Sequence, residues 1–230
     1  MKAKIYIIVF GALLLTTACE LDNYNEPDAI LTGNIMYNGE AIPVARNQVR
    51  FELWQSGYGA PGALDVPIAQ DGTYSSRLFT GDYKLIFPSN EGPFKASSDT
   101  LYFGVNGNQA MDVQVTPYNM VRNAQFSHSA GTVSATCSVE QIITGADAKA
   151  VERVTLILNR TLFVDANSGE EGSIAQADAA DITDLGSLSM SVEIPNDPKK
   201  PDQNYIFARI GVKMVGVEDM IYTQVEKITF

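Results

Sequence analysis

Few side chains in this sequence stand at spacings that do chemistry, and those that do point to recognition. Trp54 is the sole tryptophan in 230 residues. Val49, Phe51 and Leu53 alternate with Arg50, Glu52 and Trp54, so an extended strand puts the apolar trio on one face and the indole on the other. The chain then enters Gln55-Ser56-Gly57-Tyr58-Gly59-Ala60-Pro61-Gly62, a glycine-rich loop carrying a second aromatic ring. Sugar recognition uses such groups: C–H faces stack on the ring while amides and carboxylates bond the hydroxyls. Trp54 and Tyr58 are therefore the candidate ligand-binding residues. The competing use of Trp54 is packing, as a cover for a sheet edge or a seal at a domain junction.

Other reactive groups are too isolated to form a centre. His128 is the sole histidine, and Ser127 and Ser129 beside it do not make a triad, which needs a base oriented by a third group. It reads as a lone loop histidine. Asp165-Ala166-Asn167-Ser168-Gly169-Glu170-Glu171 places oxygens at alternate positions as calcium loops do. However, glycine falls fifth instead of sixth and Gln176 stands at the twelfth position, so the segment reads as a solvated acidic turn. No glycine-rich phosphate loop or His/Cys metal spacing is present. The chain is expected to have no catalytic residues, no metal site and no cofactor, and not to be an enzyme.

Charge narrows the partners. The net formal charge is −11, and no basic cluster exceeds Lys199-Lys200, so nucleic acid is excluded as a partner. The same balance keeps the body from lying on an anionic membrane surface. Of the two cysteines, Cys137 sits in Thr132-Val133-Ser134-Ala135-Thr136-Cys137-Ser138-Val139. There it shares a strand face with Val133, Ala135 and Val139 and reads as a small buried hydrophobe.

The other cysteine ends an N-terminal address. Lys2 and Lys4 precede an apolar run from Ile5 to Leu15, too short for the ~20 residues of a membrane span, and small residues follow up to Cys19. Leu15-Thr16-Thr17-Ala18-Cys19 resembles the lipobox of bacterial lipoproteins, with Thr16 where that pattern usually has Leu. The resemblance implies a signal peptide over residues 1–18, lipidation of Cys19 and a tether over 19–27. It also implies a membrane partner through the lipid, since stable anchoring takes more than one acyl chain and a lipoprotein supplies them. Glu20 and Asp22 directly after the cysteine resemble the export tag of some gut Gram-negative lipoproteins. This implies an outer-membrane, cell-surface location, with the periplasmic face as the alternative.

Beyond the tether, period-two patterning dominates and the expected fold class is all-β, two consecutive β-sandwich domains over 28–117 and 118–230. In the first, strands are expected at 30–36, 48–54, 65–70, 73–79, 83–87, 99–105 and 110–116, with Asp71-Gly72 as a hairpin turn. Leu31-Thr32-Gly33-Asn34-Ile35, Gln70-Asp71-Gly72-Thr73-Tyr74 and Thr80-Gly81-Asp82-Tyr83-Lys84-Leu85 resemble the transthyretin-like, carboxypeptidase-regulatory-like sandwich. Tyr83, Leu85 and Phe87 share a face and would fill the space between its sheets. In the second, strands are expected at 121–126, 132–142, 151–159, 161–164, 185–194, 205–215 and 220–229. The run through Met220-Ile221-Tyr222-Thr223-Gln224-Val225 resembles the closing hairpin of immunoglobulin-like or fibronectin-III-like sandwiches.

The order of lipobox and two sandwiches, with Phe51-Glu52-Leu53-Trp54-Gln55-Ser56-Gly57-Tyr58, resembles a family of two-domain surface lipoproteins of gut Gram-negative bacteria. That family is associated with starch-utilisation-type glycan uptake. The resemblance implies a non-catalytic role in glycan capture, with oligosaccharide and outer-membrane uptake proteins as partners. The alternative is a structural or assembly module of an envelope complex without sugar affinity.

Overall fold

The computed structural model describes residues 26–57, 62–95, 100–167, 172–196 and 202–230. Cys19 with its signal segment, Tyr58, residues 168–171 of the acidic turn and residues 197–201 lie outside them. The described residues form two sandwich domains, as expected.

The first holds β1 (Ala29–Tyr37), β2 (Glu40–Ala41), β3 (Arg50–Gln55), β4 (Ala63–Pro67), β5 (Thr73–Leu78), β6 (Gly81–Ile86), β7 (Phe94–Lys95), β8 (Leu101–Val105), β9 (Gln109–Ala110), β10 (Val113–Gln114) and β11 (Thr116–Pro117). The second holds β12 (Asn119–Ser129), β13 (Thr132–Gln141), β14 (Val151–Asn159), β15 (Ala175–Asp178), β16 (Leu188–Glu193), β17 (Tyr205–Met214), β18 (Ile221–Tyr222) and β19 (Glu226–Thr229). A 3-10 turn at Gly145–Asp147 is the sole helical element among the described residues.

In the first domain, one sheet is built on β1, which pairs antiparallel with β5 and β2 and parallel with β9 and β10. The other runs β4-β3-β6-β8. Alternation explains what lies between: Val49, Phe51, Leu53, Tyr83 and Leu85 are buried, with Phe51 edge-on to Tyr74 at a 4.9 Å centroid distance. The tight turn at Asp71-Gly72 forms, with Gly72 at φ +89° and the Asp71 carboxylate accepting from the Thr73 amide at 3.0 Å. It is not a hairpin within one sheet, however. The strand before it pairs with β3 and the strand after it with β1, so the turn carries the chain across the sandwich.

The strand expected at 110–116 is broken into short pieces, and Gly33 supplies the reason. A side chain on Gly33 would collide with the Met111 carbonyl, which bulges toward β1 and accepts from the Tyr74 hydroxyl. Asp112 then accepts from the Asn34 amide at 2.9 Å, taking the place of a ladder bond.

The second domain packs the sheet β12-β13-β16 against a sheet in which β14 pairs with β15 and β17, and β17 with β18 and β19. Val133, Ala135, Cys137 and Val139 all point into the core, and burial pushes the Cys137 thiol up to about 11. The strand expected at 161–164 is a loop, because Asn159 donates its side-chain amide to the carbonyls of Phe163 (2.7 Å) and Gly172 (3.1 Å). β15 carries no strand signal in the sequence because Ala-Gln-Ala-Asp lacks β-branched residues.

β17 is loosely patterned because both its faces are covered. One face lies in the sandwich core; the other turns Arg209 toward the first domain, where the side chain is fully buried. Ile157, Val164, Met220 and Tyr222 pack there against Ala45.

Candidate functional site

Three regions bear on function: the outer face of the β4-β3-β6-β8 sheet, the junction between domains, and a cleft in the second domain. Trp54 lies on the first, with the phase expected from sequence. Register aligns Ala63, Trp54, Lys84 and Tyr102 in one row across the four strands. Trp54 is half-buried, its indole N–H donates to Glu52 at 2.9 Å, and the Lys84 ammonium stands 5.1 Å from the ring centroid. Tyr102, two strands away, is 75% exposed and is the most open aromatic of the row. Its sequence, Leu-Tyr-Phe-Gly, does not distinguish it from a packing residue.

The junction is closed. The Arg209 guanidinium donates to carbonyls of both domains: Val44 (3.1 Å) and Gln70 (2.5 Å) from the first, Val164 (3.0 Å) and Thr223 (2.7 Å) from the second. Tyr222 lies 4.3 Å from it, face-on to the cation. Burial draws its pKa down to about 10, still far above neutrality, so it remains a cation held by carbonyl dipoles. Burial also pushes the Tyr222 hydroxyl up to about 12. Two further contacts join the domains: Asp219 accepts from the Gly92 amide (2.9 Å), and Arg122 bridges Glu40 and Glu140 at 2.6 Å each. Asp165, expected in a solvated turn, is only 3% exposed and accepts from the Asn167 amide at 2.9 Å. No group of three or more metal-ligating side chains occurs among the described residues.

The cleft is open, polar and large, about 790 Å³. Its walls are two strand edges, β12 from one sheet and β19 from the other. The half-buried Ala124, Phe126, His128, Thr223 and Ile228 line it, and the exposed Gln125, Ser127, Gln224 and Thr229 stand at its rim. Glu226 and Lys227 bring one charge of each sign. His128 is thus a strand residue and not a loop residue: its ring packs 4.7 Å from that of Phe230, and its Nε2 accepts from the Gly131 amide at 3.2 Å. Ser127 and Ser129 alternate to the exposed face, which rules out their partnership with it.

The cleft also presents unpaired backbone. Antiparallel strands turn alternate residues to alternate neighbours. Val139 donates to Leu185 and Ile194 to Gly131, both at 2.8 Å on the β16 side. Ser134 and Thr136 therefore face β12, where they pair with Ser127 and Gln125. The backbone groups of Phe126 and His128 are left pointing off the sheet edge. On the opposite wall Phe230 donates to Asn204 at 2.9 Å on the β17 side, which leaves those of Lys227 and Thr229 pointing outward.

These features define a two-domain β-sandwich protein with a sealed junction and an open polar cleft. Residues 29–116 match the N-terminal domain of the protein family of unknown function DUF3823, and residues 119–227 match its C-terminal domain. The chain belongs to the DUF3823 family. It is similar over 88% of its length to 99% of a DUF3823 protein from Bacteroides ovatus, at 34% identity and a TM-score of 0.76. A DUF3823 protein from Parabacteroides merdae is 28% identical with a TM-score of 0.77, covering 89% of this chain and 100% of that one. A Bacteroides uniformis structure described as "a putative carbohydrate binding protein" shares the fold at 19% identity and a TM-score of 0.68, with 89% and 100% coverage. No curated protein matches.

Proposed function

We propose that this chain is a lipid-anchored protein of the outer-membrane surface that captures glycan without breaking it down. The observation that carries this reading is the β12/β19 cleft. A volume of about 790 Å³ lies within the range of small-molecule sites, and its lining combines the Phe126 ring and the His128 imidazole with open backbone groups at both strand edges and polar residues at the rim. That is the chemistry of a polyhydroxylated ligand with one apolar face. The description of the Bacteroides uniformis structure supports the same class of ligand. The lipobox-like segment ending at Cys19 supports the anchor, and the acidic residues after it support surface display. Outer-membrane glycan-uptake proteins are the expected partners in such a setting, and the row of Trp54, Lys84 and Tyr102 offers a second aromatic surface.

Affinity electrophoresis and calorimetry against a polysaccharide panel test the binding. Retardation by at least one glycan, with no release of reducing ends, is the expected result; the absence of any binding contradicts it. Palmitate labelling lost in Cys19→Ala, together with protease accessibility on intact cells, tests the location. The sealed junction favours one further use, a brace that spaces partners, which predicts co-purification with an envelope complex and no affinity for sugar.

A further inference from the structure

We infer that the β12/β19 cleft takes an uncharged oligosaccharide, laid along the two open strand edges and excluding both anionic glycans and an added peptide strand. The inference rests on the glycan-capture reading and specifies its site and ligand class.

Charge supports it first. The lining residues include one carboxylate, Glu226, and one lysine, Lys227, whose ammonium lies on the opposite face of β19 from Glu226. The Lys227 ammonium also stands 4.2 Å from the ring centroid of Tyr205, so it is already engaged by an aromatic face. Among the described residues no arginine lines the cleft, and the chain as a whole carries −11. A uronate or sulfate would meet a repulsive field without the planar fork that binds such groups best. A neutral sugar meets none of this and gains a carboxylate, Glu226, able to accept from hydroxyls.

Geometry supports it second. The backbone N–H and C=O groups of Phe126, His128, Lys227 and Thr229 open toward the cleft, so each wall offers donors and acceptors in alternation. A hydroxyl serves both, since it donates one hydrogen bond and accepts others. The same edges are poor templates for a peptide strand. Asn123, at φ +52°, sits in a bulge that shifts the β12 register between Arg122 and Gln125. β19 spans four residues and places Glu226 and Lys227 side by side. Bulges, short length and charge are the features that keep an edge from pairing.

Calorimetry with the full mature chain tests this directly, using neutral hexasaccharides of glucose, mannose and xylose against hexagalacturonate and a sulfated heparin hexasaccharide. At least one neutral ligand should bind tenfold or more tightly than either anionic one. Its affinity should fall at least tenfold in Phe126→Ala and three- to tenfold in Glu226→Ala, whose exposed side chain makes it safe for folding, while Glu193→Ala, exposed on β16 at the far edge of the same sheet as β12, leaves it unchanged. Binding of anionic hexasaccharides alone would overturn the ligand class while leaving glycan capture standing. Neutral binding untouched in Glu226→Ala but lost in Trp54→Ala would overturn the site. Displacement of the sugar by an extended peptide that adds a strand at β12 would overturn the exclusion of strands. Failure of every glycan, neutral or anionic, would remove both the inference and the reading beneath it.

Discussion

The domain junction and the β12/β19 cleft are both rich in polar groups, and they treat them in opposite ways. At the junction a cation is taken wholly out of water and each of its nitrogens meets a carbonyl. Such a cluster is stable only when complete, because a buried polar group without a partner costs about 1–3 kcal/mol. In the cleft, backbone groups at two strand edges remain open to solvent and to whatever displaces it. The difference separates polar chemistry used for architecture from polar chemistry held available for a ligand.

The sharpest way to break this contrast is at Arg209. Arg209→Met leaves four carbonyls facing an apolar side chain and, at about 1–3 kcal/mol for a buried polar group left without a partner, should cost about 3 kcal/mol or more. For a chain of this size that is a fall in Tm on the order of 10 °C by calorimetry. Arg209→Lys should lose less, since an ammonium retains some of the donors. A loss below about 1 kcal/mol in the Met variant would mean that the junction is not held by this cluster.

Next in size is Gly33. A methyl group there meets the Met111 carbonyl, and overpacking of this kind costs about 1–3 kcal/mol, so Gly33→Ala should unfold at lower denaturant. An unchanged midpoint would show that the broken strand has room to move.

Asp219 gives a smaller effect with a definite sign. Burial raises its pKa, so the folded state holds this proton more tightly than the unfolded chain does. Its contribution to stability is therefore most favourable at low pH and is lost as pH rises through the folded pKa. Asp219→Asn keeps an acceptor for the Gly92 amide without the buried charge. The variant should be more stable than the parent at pH 7, and the advantage should vanish toward pH 4 in paired thermal melts. A variant equally destabilised at both pH values would contradict it.

The smallest effect is at Lys84. Its ammonium over Trp54 is worth about 0.5–1 kcal/mol, so Lys84→Ala should shift Tm by a few degrees at most. It should also alter the emission of the sole tryptophan, and unchanged emission would argue that the lysine does not cover the ring.

What could be read from sequence divides along the same line. Strands that bury one face announce themselves by alternation, as Val133 to Val139 and Val49 to Leu53 do, and Trp54 falls on the face its phase requires. Arg209 does not, because a charged residue in mid-strand reads as solvent-facing until a second layer is known to cover it. The broken strand beside β1 depends on a carbonyl occupying the space over Gly33, a contact across 78 residues that no local pattern encodes. The cleft is formed by strands about a hundred residues apart. Its one local signal was the alternation of Ala124, Phe126 and His128 with Gln125, Ser127 and Ser129, which marks a half-apolar edge and places His128 on a strand.

Amide chemical-shift mapping with a neutral hexasaccharide tests the central claim most directly. Shifts concentrated at Phe126, His128, Lys227 and Thr229, with the Trp54 indole signal unmoved, are the predicted result. Shifts confined to Trp54, Lys84 and Tyr102, or none at saturating sugar, would contradict it.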